Sequence, residues 1–152
     1  MTMTLNEVMT KQTIISPILL QDGDKELNKA LKVKIMRIRM TYNKIKKNFD
    51  AEVQEFVDAL LTDEFKELND KERTPEEETR LQELNASFNS EYKEFLIQKG
   101  NEEVSCTDEY FTVDEYYDIV DINSGNNVEI NGSKVSAPNF LEVVYELFVR
   151  ED

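Results

Sequence analysis

Residues 27–60 read LNKALKVKIMRIRMTYNKIKKNFDAEVQEFVDAL. Apolar side chains stand at Leu27, Leu31, Ile35, Ile38, Tyr42, Ile45, Phe49, Val53, Phe56 and Leu60, nine steps of three or four residues each. The mean step lies between 3.6 and 3.7 residues. That is the period of a straight α-helix rather than the 3.5 of a strict heptad, so left-handed supercoiling is not required. No Gly or Pro falls between Asp24 and Pro75. The pattern predicts one long helix that begins near Asp22-Gly23-Asp24, where either aspartate would cap it. It would run to about Leu68, roughly 65 Å at the helical rise per residue. Thr62-Asp63 offers a second cap, so a break or kink is allowed there.

The next stretch carries the sharpest local signal. Thr74-Pro75-Glu76-Glu77 places Thr at an N-cap, Pro at the first helical position and Glu at the third, a capping box with the proline that suits it. A second helix is predicted from Pro75 to Lys99, stopped at Gly100. Its seam is Leu81, Leu84, Phe88, Tyr92 and Phe95, with Leu96 beside it. A short polar loop over 69–73 between two amphipathic helices makes them antiparallel neighbours. The second helix is long enough to cover only the distal half of the first. Ile35, Ile38 and Tyr42 therefore need cover from the C-terminal segment, the N-terminal segment or another chain.

Either side of the hairpin the texture changes. Residues 1–23 read as an arm, with weak helical character up to Thr13 and an extended apolar stretch around Pro17. Folding back onto the chain's own core is favoured over insertion into a neighbour. After Gly100, Glu103 to Thr107 reads as a short strand, and Thr112-Val113-Asp114-Glu115 as a capping box opening one or two helical turns. Residues 119–122 would suit a further strand. Val128-Glu129-Ile130, Asn131-Gly132 and Ser133-Lys134-Val135 form a β-hairpin with the favoured two-residue turn. Ser136-Ala137-Pro138 opens a final helix with Phe140, Val144, Leu147 and Phe148 on one face, part of which could instead be strand. The expected architecture is mainly α: an arm (1–23), a long antiparallel helical hairpin (24–100) and a small α+β cap (101–152), all in one domain.

Charge is unevenly placed. Residues 1–47 hold ten Lys/Arg and four Asp/Glu, and residues 48–152 hold eight and 28, giving balances of +6 and −20 within a net −14. Such asymmetry suits head-to-tail self-association or docking on charged partners. Nine of the 18 cations lie in 25–47. Phosphate binding is one reading of them. The acidic remainder would repel a polyanion and no aromatic stacking platform accompanies the cations, so direct nucleic-acid binding is not expected. Contact with an acidic protein surface, including that of a neighbouring copy, is preferred. The candidate partner-binding residues are Ile35, Ile38 and Tyr42 with Lys32, Lys34, Arg37, Arg39 and Lys46.

Chemistry is poorly supported. The chain has no histidine, which removes the usual general base and any Ser-His-Asp or Cys-His arrangement. There is no phosphate loop or dinucleotide fingerprint. The single cysteine, Cys106, forms no internal disulfide and is too few for a Cys/His zinc site. The acids at Glu76-Glu77-Glu78, Asp108-Glu109 and Asp114-Glu115 lack EF-hand spacing, and helix starts attract acids in any case. No catalytic residue, cofactor or metal is predicted. No stretch approaches the ~20 apolar residues of a membrane span, and neither a leader nor an anchor is read.

The basic-then-acidic pattern "LNKALKVKIMRIRMTYNKIKKNFDAEVQEF", "TPEEETRLQELNASFNSEYKEFL" and "EEVSC" resembles small phage proteins of unknown function encoded among head and tail genes, over about residues 27–107. The resemblance implies a non-enzymatic, virion-associated or assembly role among other virion proteins or copies of itself, in the host cytoplasm or the virion. It brings no catalytic residues. The rival expectation is an acidic nucleic-acid mimic that blocks a host nucleic-acid-binding or defence protein, with a stripe of carboxylates on 76–94 and 108–121.

Overall fold

The structure is a computed structural model that describes residues 2–106 and 109–151. The expected Thr107 end of a strand and the acid Asp108 lie outside the described residues. In chain order the elements are β1 (Thr2–Thr4), α1 (Leu5–Ile15), β2 (Gln21–Asp22), β3 (Lys25–Glu26), α2 (Lys29–Leu60), α3 (Asp63–Asn69), α4 (Pro75–Gly100), β4 (Glu103–Ser105), α5 (Val113–Asn123), β5 (Val128–Ile130), β6 (Ser133–Val135) and α6 (Ala137–Phe148). The mainly helical class, the long helix and the C-terminal β-hairpin with a terminal helix are as predicted; the β2–β3 hairpin is additional.

The chain divides into two compact units: Met1–Lys46 together with Glu103–Asp152, and Lys47–Glu102. This division differs from the succession of arm, hairpin and cap. The arm, the basic start of α2 and the C-terminal segment share one core.

That first unit is centred on Leu31, Ile35, Ile38 and Tyr42 of α2, with Val8 and Ile15 of α1, Ile119 of α5, and Phe140, Val144 and Phe148 of α6. Phe148 packs at 6.4 Å from Tyr42 and 6.1 Å from Phe111, ring centre to ring centre. The expected arm is a helix. Thr4 caps it by accepting from the Glu7 N–H at 3.2 Å, and Leu5, Val8, Ile14 and Ile15 point inward. Lys11 also lies inward, with its ammonium over the rings of Tyr110 (4.8 Å) and Phe148 (5.5 Å).

The start of α2 also departs from expectation. Asp22 and Asp24 do not cap it. Gly23, at φ +62°, turns the chain between β2 and β3, and the cap is Asn28, whose Oδ1 accepts from the Leu31 N–H at 2.9 Å. Residues 119–122, expected as a possible strand, belong to α5, because the capping box at Thr112 propagates through 11 residues. The β5–β6 hairpin has the predicted register, with Asn131 (φ 52°) and Gly132 (φ 81°) supplying its two-residue turn. α6 is helical throughout, capped by Ser136. β4 pairs antiparallel with β1, an unpredicted match of Thr2 to Ser105 and Thr4 to Glu103.

The second unit is the helical hairpin. α2 ends at Leu60 rather than near Leu68, since Thr62 starts α3 by accepting from the Phe65 N–H at 3.3 Å. The capping box at Thr74 is complete: its hydroxyl accepts from Glu77 N–H, and the Glu77 carboxylate accepts from Thr74 N–H. The distal turns of α2 and α4 run antiparallel, with Phe56 stacked on Phe95 at 4.1 Å and Glu52 paired with Lys99. Phe65, Leu68 and Leu81 form the unit's buried apolar cluster, with Leu61, Leu84 and Phe88 partly buried around them. Phe49, Val53, Phe56, Tyr92 and Phe95 stay half-buried.

Candidate interaction surface

The predicted partner-binding residues divide into inward and outward sets. Ile35 and Ile38 are 0% exposed and Tyr42 is 1% exposed. The expectation that they meet another chain does not hold. The cover they needed comes from α1 and α6 of the same chain, with Phe148 over Tyr42.

The cations of the same stretch are mostly engaged within the first unit. The Lys34 ammonium donates to the Glu115 carboxylate at 2.8 Å and lies 5.7 Å from the Phe111 ring centre. Arg37 grips both oxygens of Glu109, its Nε donating at 2.8 and 2.9 Å. Lys32 pairs with Glu26 at 2.8 Å, and Lys25 with Asp121 at 3.3 Å. Among the described residues Arg39 meets no carboxylate. It donates to the carbonyls of Ile15 and Ile18, closing the end of α1 and the turn that follows. Lys46 is engaged as well. The acidic surface expected to meet the basic segment is thus largely the chain's own C-terminal part, carried by Glu109, Glu115 and Asp121.

These contacts shift the groups involved. Burial pushes the Glu115 carboxyl up, but the Lys34 ammonium and the Thr112 N–H outweigh it, leaving Glu115 below the ordinary carboxylate value. Burial lowers the Arg39 guanidinium, while Glu109 raises that of Arg37. In the hairpin, Glu52 and then Glu102 raise Lys99.

Two outward features stand out among the described residues. On α2, Lys29, Val33, Met36, Met40 and Lys44 recur two residues before the buried Leu31, Ile35, Ile38 and Tyr42, with Lys44 one step further along the same row. Two residues is about 200° of helix, so this row faces away from the core. Val33 is 46% exposed, Met36 49% and Met40 70%. Lys29 and Lys44 have no carboxylate partner among the described residues. In the sequence this row is a second stripe with steps of three or four residues like the inward seam, and its mixture of Lys, Val and Met makes it a weaker apolar signal than the seam.

The other feature is a shallow groove of about 420 Å³ on the hairpin, lined by Phe56, Leu60 and Phe95 with Glu91, Glu94 and Gln98. Glu94 accepts only from Gln98, at 3.5 Å, and Glu91 has no cation partner among the described residues. The hairpin unit holds seven Lys/Arg and 16 Asp/Glu, a balance of −9.

Among the described residues no cluster of three or more His, Cys, Asp or Glu is placed to hold a metal ion. Among the described residues no helix is long and apolar enough to cross a membrane. Many of the helix-start acids serve the local structure: Glu77 and Glu115 complete capping boxes, and Glu78 pairs with Arg73. No family model, curated protein or solved structure matches the chain.

Proposed function

We propose that this chain is a non-enzymatic structural or assembly protein that acts through protein–protein contacts, with the virion or assembly pathway of a phage as its setting. The observation that supports this is the Val33, Met36 and Met40 row. Scattered apolar side chains on a surface are ordinary, but three in register on the face opposite the core form a strip that water covers at a cost. Two are methionines, whose flexible thioethers adapt to a partner's shape. Direct nucleic-acid binding gains little, because Lys25, Lys32, Lys34 and Arg37 are already neutralised by the chain's own carboxylates. Mimicry of nucleic acid is weakened in the same way, since Glu77, Glu78 and Glu83 are held by Lys71, Arg73 and Arg80.

The test is capture by the tagged full chain from phage-infected lysate, with M36Q/M40Q in parallel. Both positions are exposed, so the double variant should keep its unfolding midpoint. Recovery of capsid, portal or tail components by the parent and their loss with the variant is the expected result. Recovery of a nuclease or polymerase in their place would overturn the assembly reading in favour of an inhibitor. Equal recovery by both chains would remove the methionine row as the contact.

A further inference from the structure

Resting on the assembly reading, we propose that the outward row of α2 in one copy seats in the Phe56–Phe95 groove of a second copy, giving head-to-tail self-association. The two surfaces match in form. A helix laid along a pair of antiparallel helices covers the half-exposed seam between them. Val33 to Met40 and Glu91 to Gln98 are each seven residues apart, so row and groove are both about 10 Å long. They are opposite in charge as well. Lys29 and Lys44, about 22 Å apart along α2 and so one beyond each end of the row, have no carboxylate partners, and Glu91 and Glu94, one turn apart on the rim of the groove, have no cation partners among the described residues, so one lysine at a time meets the acidic rim.

The alternatives within the same chain are worse. Two rows packed antiparallel about a two-fold axis would bring Lys29 of one copy toward Lys44 of the other. Two grooves face to face would oppose Glu91 and Glu94 across hairpins that each carry −9. Only the row-to-groove contact opposes unlike charges. Such a contact uses two different surfaces, so each pair of copies still offers one free row and one free groove, and growth continues into chains or rings.

Sedimentation velocity of the full chain tests this from about 5 to about 500 µM, a range bracketing the weak affinity of a contact this small. The parent should sediment faster as concentration rises and exceed the size of a dimer. K29E/K44E and E91K/E94K should each remain monomeric with unchanged unfolding midpoints. Mixed one to one they should associate again, because the acidic row of the first fits the basic groove of the second. A parent that is monomeric throughout, one that stops at a dimer, or a mixture no larger than its components would each overturn the proposal. If the parent is monomeric yet still captures virion components through Met36 and Met40, self-docking fails and the assembly reading survives.

Discussion

Replacing Ile38 by alanine separates a core role for the basic end of α2 from a docking role. Ile38 is 0% exposed within the first unit. The substitution removes three carbons, worth about 2.4 kcal/mol of transfer free energy at about 0.8 kcal/mol per buried methylene. The cavity left in the core of the first unit adds to this, since a close-packed core relaxes only in part. The total loss should be about 3–4 kcal/mol. Five of the six tyrosines lie in the first unit, so near-ultraviolet circular dichroism during urea unfolding reports on it. The parent and Ile38→Ala are compared at two protein concentrations a hundredfold apart. The difference between them should be the same at both, because the lost contacts are intramolecular. Met40→Ala, at a position 70% exposed, serves as the control and at the lower concentration should change stability by no more than about 0.5 kcal/mol. A loss below about 1 kcal/mol for Ile38→Ala, or a difference that grows with protein concentration, would return this seam to the surface and refute the reasoning.

Two other perturbations probe the same unit. Asn123 is fully buried; it accepts from the Leu19 N–H at 2.8 Å and donates to the carbonyls of Leu19 at 3.1 Å and Ile119 at 2.9 Å. Asn123→Ala should cost about 2–4 kcal/mol and remove hydrogen-exchange protection at the Leu19 amide; retained protection would contradict the anchoring role. Acid should destabilise the unit through Glu115. Its folded carboxyl titrates below the ordinary value of 4.5, so its contribution is complete above that value and is lost as pH falls through the lower folded one. Glu115→Gln, which preserves the capping box, should therefore flatten the fall in stability between about pH 5 and pH 3; an unchanged acid limb would refute this.

The features that were legible from sequence are those settled by near neighbours. The capping boxes at Thr74 and Thr112 and the Asn131-Gly132 turn each depend on a few adjacent residues, and each formed where the sequence placed it. The features that were not legible depend on distant ones. α1 was obscured by Lys11 on its inward face, an unfavourable core residue until Tyr110 and Phe148 supply aromatic faces for the ammonium. The pairing of β1 with β4 joins strands about a hundred residues apart, a match that no local pattern encodes. The need of Ile35, Ile38 and Tyr42 for cover was visible, but its source in α1 and α6 was one of three open possibilities. Of the candidate site, the cations were visible by position. Their neutralisation by Glu109, Glu115 and Asp121 required the return of the C-terminal segment.

The interleaved order of the two units shapes how the chain leaves the ribosome. The first unit is begun by residues 1–46 and finished only by 103–152, with the hairpin translated in between. While 47–102 emerge, Leu31, Ile35, Ile38 and Tyr42 still lack Phe140, Val144 and Phe148 and stay open to chaperones or premature sticking. The hairpin depends on no such later arrival and is free to fold first.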